Sequence, residues 1–168
     1  MAELTPSERL QPCLLDRLTD DEPDKSQESR NRRVFSLRQI RQAVLRDLSW
    51  LLNTPARSAT EDFSLFPQVE SSVINYGIVD LAGLTSSGVS VGQLESMVAR
   101  AIELYEPRIL ASTIKVRAVH NAGEMSLNTL VFEITGDLWA EPVPDHLYLK
   151  TEVDLETGQY TLREQVGG

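Results

Sequence analysis

The sequence is short of most of what chemistry needs. It has one cysteine, Cys13, in 168 residues. No internal disulfide can form, and a reducing, cytoplasmic setting is expected. The two histidines, His120 and His146, stand apart from each other and from Cys13 in sequence, so no metal-ligand spacing arises. Gly83 and Gly88 stand alone, without the lysine that a phosphate-cradling loop requires. No nucleophile elbow is present. These gaps predict no metal and no cofactor. No apolar run nears the roughly 18 residues that span a bilayer. The opening MAELTPSERLQPCLLDRL also lacks the basic-then-apolar order of a secretory leader, so no direct membrane insertion is expected. Bases are scarcer than acids. Sixteen Lys and Arg against 25 Asp and Glu leave a net charge of -9, which argues against nucleic acid as the main partner.

What is present is enough for one globular domain. Hydrophobic residues make up 41% and charged residues 24%, a composition that can bury a core without staples. The chain divides by composition into a tethered helical motif (1–19), a flexible linker (20–35) and an α+β domain (36–168). In the first part, Pro12 opens a short helix in which Leu10, Leu14, Leu15 and Leu18 can share a face. So short a helix is marginal alone and needs something to pack against. Residues 20–33 have no apolar residue except Pro23 and cannot form core. The leucine motif therefore reads either as a tethered contact for a neighbour or as a frayed end.

Two capping boxes start the main helices. Ser36 with Gln39 precedes a stripe of Leu37, Ile40, Val44, Leu48 and Leu51. Ser90 with Gln93 precedes Val91, Leu94, Val98, Ile102 and Tyr105. Arg38, Arg41 and Arg46, with Arg30, Arg32 and Arg33 upstream, form a basic row: a solvated face or a docking surface for an acidic partner. Residues 56–63 read as loop, and Pro67 opens a helical turn that Gly77 closes. Beyond Pro107 the period becomes two. Ile114, Val116 and Ala118 alternate with bases; Leu130, Phe132 and Ile134 form a second strand, and Leu147, Leu149, Thr151 and Val153 a third. A turn over 156–159 returns the chain into a short fourth. The expected fold is α+β: N-terminal helices on one face of a C-terminal antiparallel sheet of three to four strands. An open sheet edge would invite a strand from another chain.

The helix-to-sheet junction is Glu106-Pro107-Arg108. Proline ends the helix and drives Glu106 toward extended backbone. Acid and base then flank a rigid corner, which is either a plain helix stop or a binding element. A third reading makes Glu106, beside Tyr105, a glycosidase acid with Asp80 or Glu103 as its mate. The cation of Arg108 works against a proton held there.

Five segments in order carry a resemblance: Pro12-Cys13-Leu14-Leu15-Asp16-Arg17-Leu18, Arg46-Asp47-Leu48-Ser49-Trp50-Leu51-Leu52-Asn53-Thr54, Ser72-Val73-Ile74-Asn75-Tyr76-Gly77 with Asp80-Leu81, Ile102-Glu103-Leu104-Tyr105-Glu106-Pro107-Arg108, and Gly136-Asp137-Leu138-Trp139. Together they resemble the TssE family of type VI secretion baseplate subunits, related to the wedge protein of contractile phage tails. The resemblance implies a non-catalytic, cytoplasmic subunit at a baseplate docked on the inner membrane. The implied partners are the wedge proteins TssF and TssG, TssK, the sheath proteins TssB and TssC, whose first ring it would template, and the VgrG hub. Glu106, Pro107 and Arg108 are implied to grip the wedge; Leu14, Leu15 and Leu18, from their spacing and tether, are expected to be a second partner contact. The alternatives are a lysozyme-like peptidoglycan hydrolase, after the label that phage relatives carry, and an adaptor in another complex.

Overall fold

The computed structural model describes residues 12–19, 23–24, 36–79, 90–119, 129–139 and 144–165. The expected loops over 85–88 and 120–124, and the linker apart from 23–24, lie outside the described residues. The fold is α+β as expected. Helices α1 (Leu14–Leu18), α2 (Leu37–Leu52), α3 (Pro67–Glu70) and α4 (Val91–Tyr105) precede strands β1 (Lys115–Val119), β2 (Thr129–Leu138), β3 (Asp145–Asp154) and β4 (Tyr160–Glu164). The strands form one antiparallel meander in the order β1-β2-β3-β4.

Both capping boxes form as the sequence predicts. The Ser36 and Ser90 hydroxyls accept from the N–H groups of Gln39 and Gln93, while each Gln side chain accepts from the serine N–H. Behind the caps, Ile40, Val44, Leu48, Leu51 and Leu52 of α2 and Leu94, Val98, Ala101 and Ile102 of α4 are buried. They meet Phe132, Ile134, Leu147, Leu149 and Val153 from one sheet face in a single core cluster. Leu37 and Val91, at the helix starts, stay exposed.

The connections between the helices differ in detail from expectation. The segment read as loop contains a 3₁₀ turn, Arg57–Ala59. The turn opened by Pro67 stops at Glu70, and a separate 3₁₀ turn, Val73–Asn75, follows. Gly77 is fixed by a close approach rather than by a helix cap. Its φ is +129°, and an added Cβ would lie 2.3 Å from the Thr54 carbonyl oxygen. That contact lets Ile78 pair with the chain after α2, donating to Thr54 O at 2.9 Å while Ala56 donates to Ile78 O at 2.8 Å. Likewise, β1 does not follow directly on Pro107. A turn and a 3₁₀ segment, Ala111–Thr113, intervene.

The expected basic row on α2 is mostly consumed inside the molecule. Arg41 binds Asp145 and Glu164, clamping α2 across β3 and β4. Arg46 binds Asp16 and Asp47.

Candidate functional site

Helix α4 ends at Tyr105, and the backbone N–H of Glu106 still donates to Ile102 O, completing the last turn at 2.9 Å. Pro107 cannot continue it. Glu106 sits at φ −122°, ψ 76°, out of the helical region as the following proline requires. Its side chain points inward and is only 3% exposed. Both carboxylate oxygens are held by Arg108: Nε donates to Oε1 at 2.6 Å and Nη2 to Oε2, while the Arg108 N–H also reaches Oε1 at 3.2 Å. Such a fork suits guanidinium geometry.

Arg108 then continues outward. Its Nη2 donates to Asp47 Oδ2 of α2 at 2.6 Å. The other Asp47 oxygen accepts from Arg46 Nε at 2.8 Å, and Arg46 Nη1 donates to Asp16 of α1 at 2.7 Å. Asp16 closes the chain by accepting from the Cys13 N–H and thiol at 3.2 and 2.9 Å. Acid and base thus alternate through Glu106, Arg108, Asp47, Arg46 and Asp16, tying α4, α2 and α1 together. Burial opposes the charge on Arg108, but hydrogen bonds and charge from Glu106 and Asp47 outweigh it and raise its pKa above the usual value. Burial likewise opposes the charge on Asp16, and the Cys13 and Arg46 contacts outweigh it, holding the carboxyl below its usual range.

Two aromatic rings back the network. Tyr76 and Tyr105 meet edge to face at 5.3 Å. The Tyr105 hydroxyl donates at 3.0 Å toward the carbonyls of Ser72 and Asn75, fixing the Tyr76 segment to α4. Burial, with the charges of Asp47 and Glu106, pushes the Tyr76 phenol up. Between these rings and the charges lies a cavity of ≈ 350 Å³, lined by Cys13, Asp47, Leu48, Tyr76, Tyr105 and Arg108 among others.

On its other side the corner is zipped to the end of β2. Trp139 N–H donates to Arg108 O at 2.7 Å, Leu110 N–H donates to Asp137 O at 2.9 Å, and Ile109 bridges Leu138. Gly136 permits this approach, since a Cβ there would lie 2.7 Å from the Ile109 side chain. Trp139 is left 50% exposed beside the corner.

All five segments singled out in the sequence therefore converge on one place. The structure brings Glu106, Pro107 and Arg108 together as a closed corner, with Arg108 the charge that solvent reaches, 27% exposed. Leu14, Leu15 and Leu18 point away from the body at 69%, 43% and 74% exposure. Helix α1 is thus seated by its polar side and turns its apolar side outward. Asp47, Asp16 and Trp139 were not singled out as site residues. Their signal lay in their motifs: an acid following Arg46, an acid inside the leucine run, and a tryptophan after Gly136. As for the glycosidase reading, Glu106 has both oxygens occupied, Glu103 is exposed and pairs with Arg100 at 2.9 Å, and Asp80 lies outside the described residues.

A family profile described as baseplate wedge protein gp25 matches residues 38–143. The chain belongs to that family. It is a structural component of a phage-tail-like baseplate. The matched part of this gp25-family chain contains the corner, α2, α4 and Trp139, whereas α1 lies before it. No curated protein and no solved structure matches the chain significantly. Among the described residues, no helix is long and apolar enough to cross a membrane, and no group of three or more His, Cys, Asp or Glu residues is placed to hold a metal ion.

Proposed function

We propose that the chain is the TssE-type wedge subunit of a type VI secretion baseplate. It joins TssF and TssG at the corner, contacts TssK and the VgrG hub within the wedge, and initiates the TssB–TssC sheath. It does this in the cytoplasm, at a baseplate docked on the inner membrane. The observation that carries the reading is the meeting of five separate sequence segments at one charge-locked corner. A helix stop needs none of that apparatus. A rigid recognition element does, because a preset geometry loses less entropy on binding.

In this reading Glu106 is the internal strut and Arg108 the charge offered to the partner, assisted by Trp139. The outward leucines of α1 form the second contact, a short apolar helix suited to a groove on a wedge protein. The test is co-purification of TssF and TssG with the full chain. Leu14→Ser/Leu18→Ser alters side chains that touch solvent, so the chain should stay folded and lose wedge proteins. Arg108→Lys keeps a cation beside Glu106 but removes the fork, and it should do the same. Undiminished co-purification by both folded variants would sink the assignment.

A further inference from the structure

Arg41 and Arg46, two cations of the basic row on α2, are spent on internal acids, but another set is not. In the sheet, Arg117 lies opposite Glu133, Glu133 opposite Lys150, and Lys150 opposite Arg163. The four side chains form one row across all four strands, about 14 Å long at strand spacings of roughly 4.8 Å. Lys115 stands two residues along β1 on the same face. The neighbours between them, Val116, Ile134, Leu149 and Leu162, turn the other way into the core. The row therefore lies on the sheet face opposite α2 and α4.

None of Lys115, Arg117, Lys150 or Arg163 forms an ion pair among the described residues. Glu133, the one acid of the row, is engaged by the Tyr148 hydroxyl instead. Lys150 and Arg163 sit directly opposite each other, and like charges so placed disfavour the sheet. Arg41, Arg46 and Arg108, in contrast, are each bonded to two carboxylates. On a chain of net charge -9, four cations outside any ion pair on one sheet face, with Glu133 and Glu152 as the acids beside Lys150, make that face locally basic.

We propose that this row is a docking surface for an acidic segment of a partner protein. The balance of charge favours carboxylates over a nucleic acid. The molecule as a whole repels a polyanion, while a few protein carboxylates can meet the row at short range, where screening matters less. The surface is separate from the Arg108 corner, so the inference stands or falls independently of the baseplate assignment.

The test uses the full chain and a fluorescein-labelled ten-residue peptide of alternating Glu and Ser, read by anisotropy. Saturable, salt-sensitive binding is expected. Arg117→Gln/Lys150→Gln/Arg163→Gln should weaken it roughly tenfold, the scale of three exposed pairs lost together. Arg38→Gln/Arg57→Gln, away from the sheet, should leave it unchanged. Lys150→Glu/Arg163→Glu should instead bind an oligolysine probe. Arg163→Gln alone should melt at or above the native temperature, because its like-charge contact with Lys150 is gone. Several results would overturn the proposal. These are a lower melting temperature for Arg163→Gln, equal peptide binding by the triple variant, single-stranded DNA of ten nucleotides bound as tightly, self-association that the triple variant abolishes, or no saturable binding up to about 1 mM.

Discussion

At the scale of single residues, the corner is an asymmetric ion pair. The Glu106 side chain is almost wholly buried and, among the described residues, bonded only to Arg108, whereas Arg108 is partly exposed and also holds Asp47. Removing the base strands a buried carboxylate. Removing the acid leaves the base with another partner and with water. Arg108→Ala should therefore cost more stability than Glu106→Ala, about 3–5 kcal/mol on the scale of a broken buried pair. Urea unfolding would measure both, and the reverse order would show that Asp47 rather than Glu106 is the main anchor. A second residue runs the other way. Thr151 lies in the core, and its hydroxyl has no partner among the described residues. An unpaired buried hydroxyl costs free energy. Thr151→Val should raise stability by about 1 kcal/mol and the midpoint by about 2–4 °C for a chain of this size. A lowered midpoint would mean that the hydroxyl is bonded.

At the scale of elements, the helices and strands were legible and the corner's wiring was not. Capping boxes and stripes at intervals of three and four located α2 and α4, because local hydrogen bonds and a periodic apolar face are written in consecutive residues. Alternation located the four strands for the same reason. The Arg108–Asp47 contact joins residues 61 apart, and Arg46–Asp16 joins residues 30 apart. No local pattern encodes such pairings, so Arg46 read as a surface cation and the partner of Arg108 stayed unknown. The outward face of α1 was equally hidden, since leucines at helical spacing look the same whether they pack inward or point out. The contact of α1 with the body gives a prediction. Cys13 is the only thiol, so its labelling rate with a maleimide reports on α1 lifting away. Asp16→Asn should speed labelling at neutral pH; an unchanged rate would mean that the ion pair does not hold α1. The pH dependence has a definite sign. The Asp16 pKa is lowered from 3.8 in the folded chain, so its stabilisation is fully present above 3.8 and is lost as pH falls through the lower folded value. Trp50, on which Arg46 rests at 5.1 Å, should report this by fluorescence in a Trp139→Phe background. A transition centred above 3.8 would contradict the pairing.

At the scale of the whole molecule, three features meet: a small α+β body, one rigid corner at its helix-to-sheet junction, and two outer strand edges. The edges are guarded unequally. On β1, Glu95 of α4 accepts from the Ala118 N–H at 2.7 Å. On β4, Asn53, which caps the C-terminus of α2, takes both the N–H and the carbonyl of Tyr160, at 2.9 and 3.0 Å. The ladder bonds from Asp154 to Gln159 and from Gln165 to Tyr148 turn the backbone of Leu162 toward the open side. If strand addition at β4 starts the sheath, Leu162→Pro should block sheath growth while wedge assembly survives; unaffected growth would remove that edge from the account. Whether the corner grips the wedge is read by hydrogen exchange of the full chain, alone and bound to TssF and TssG. New protection should concentrate at residues 14–18, 106–110 and 137–139. Protection confined to other surfaces, with those three segments exchanging as in the free chain, would contradict that grip.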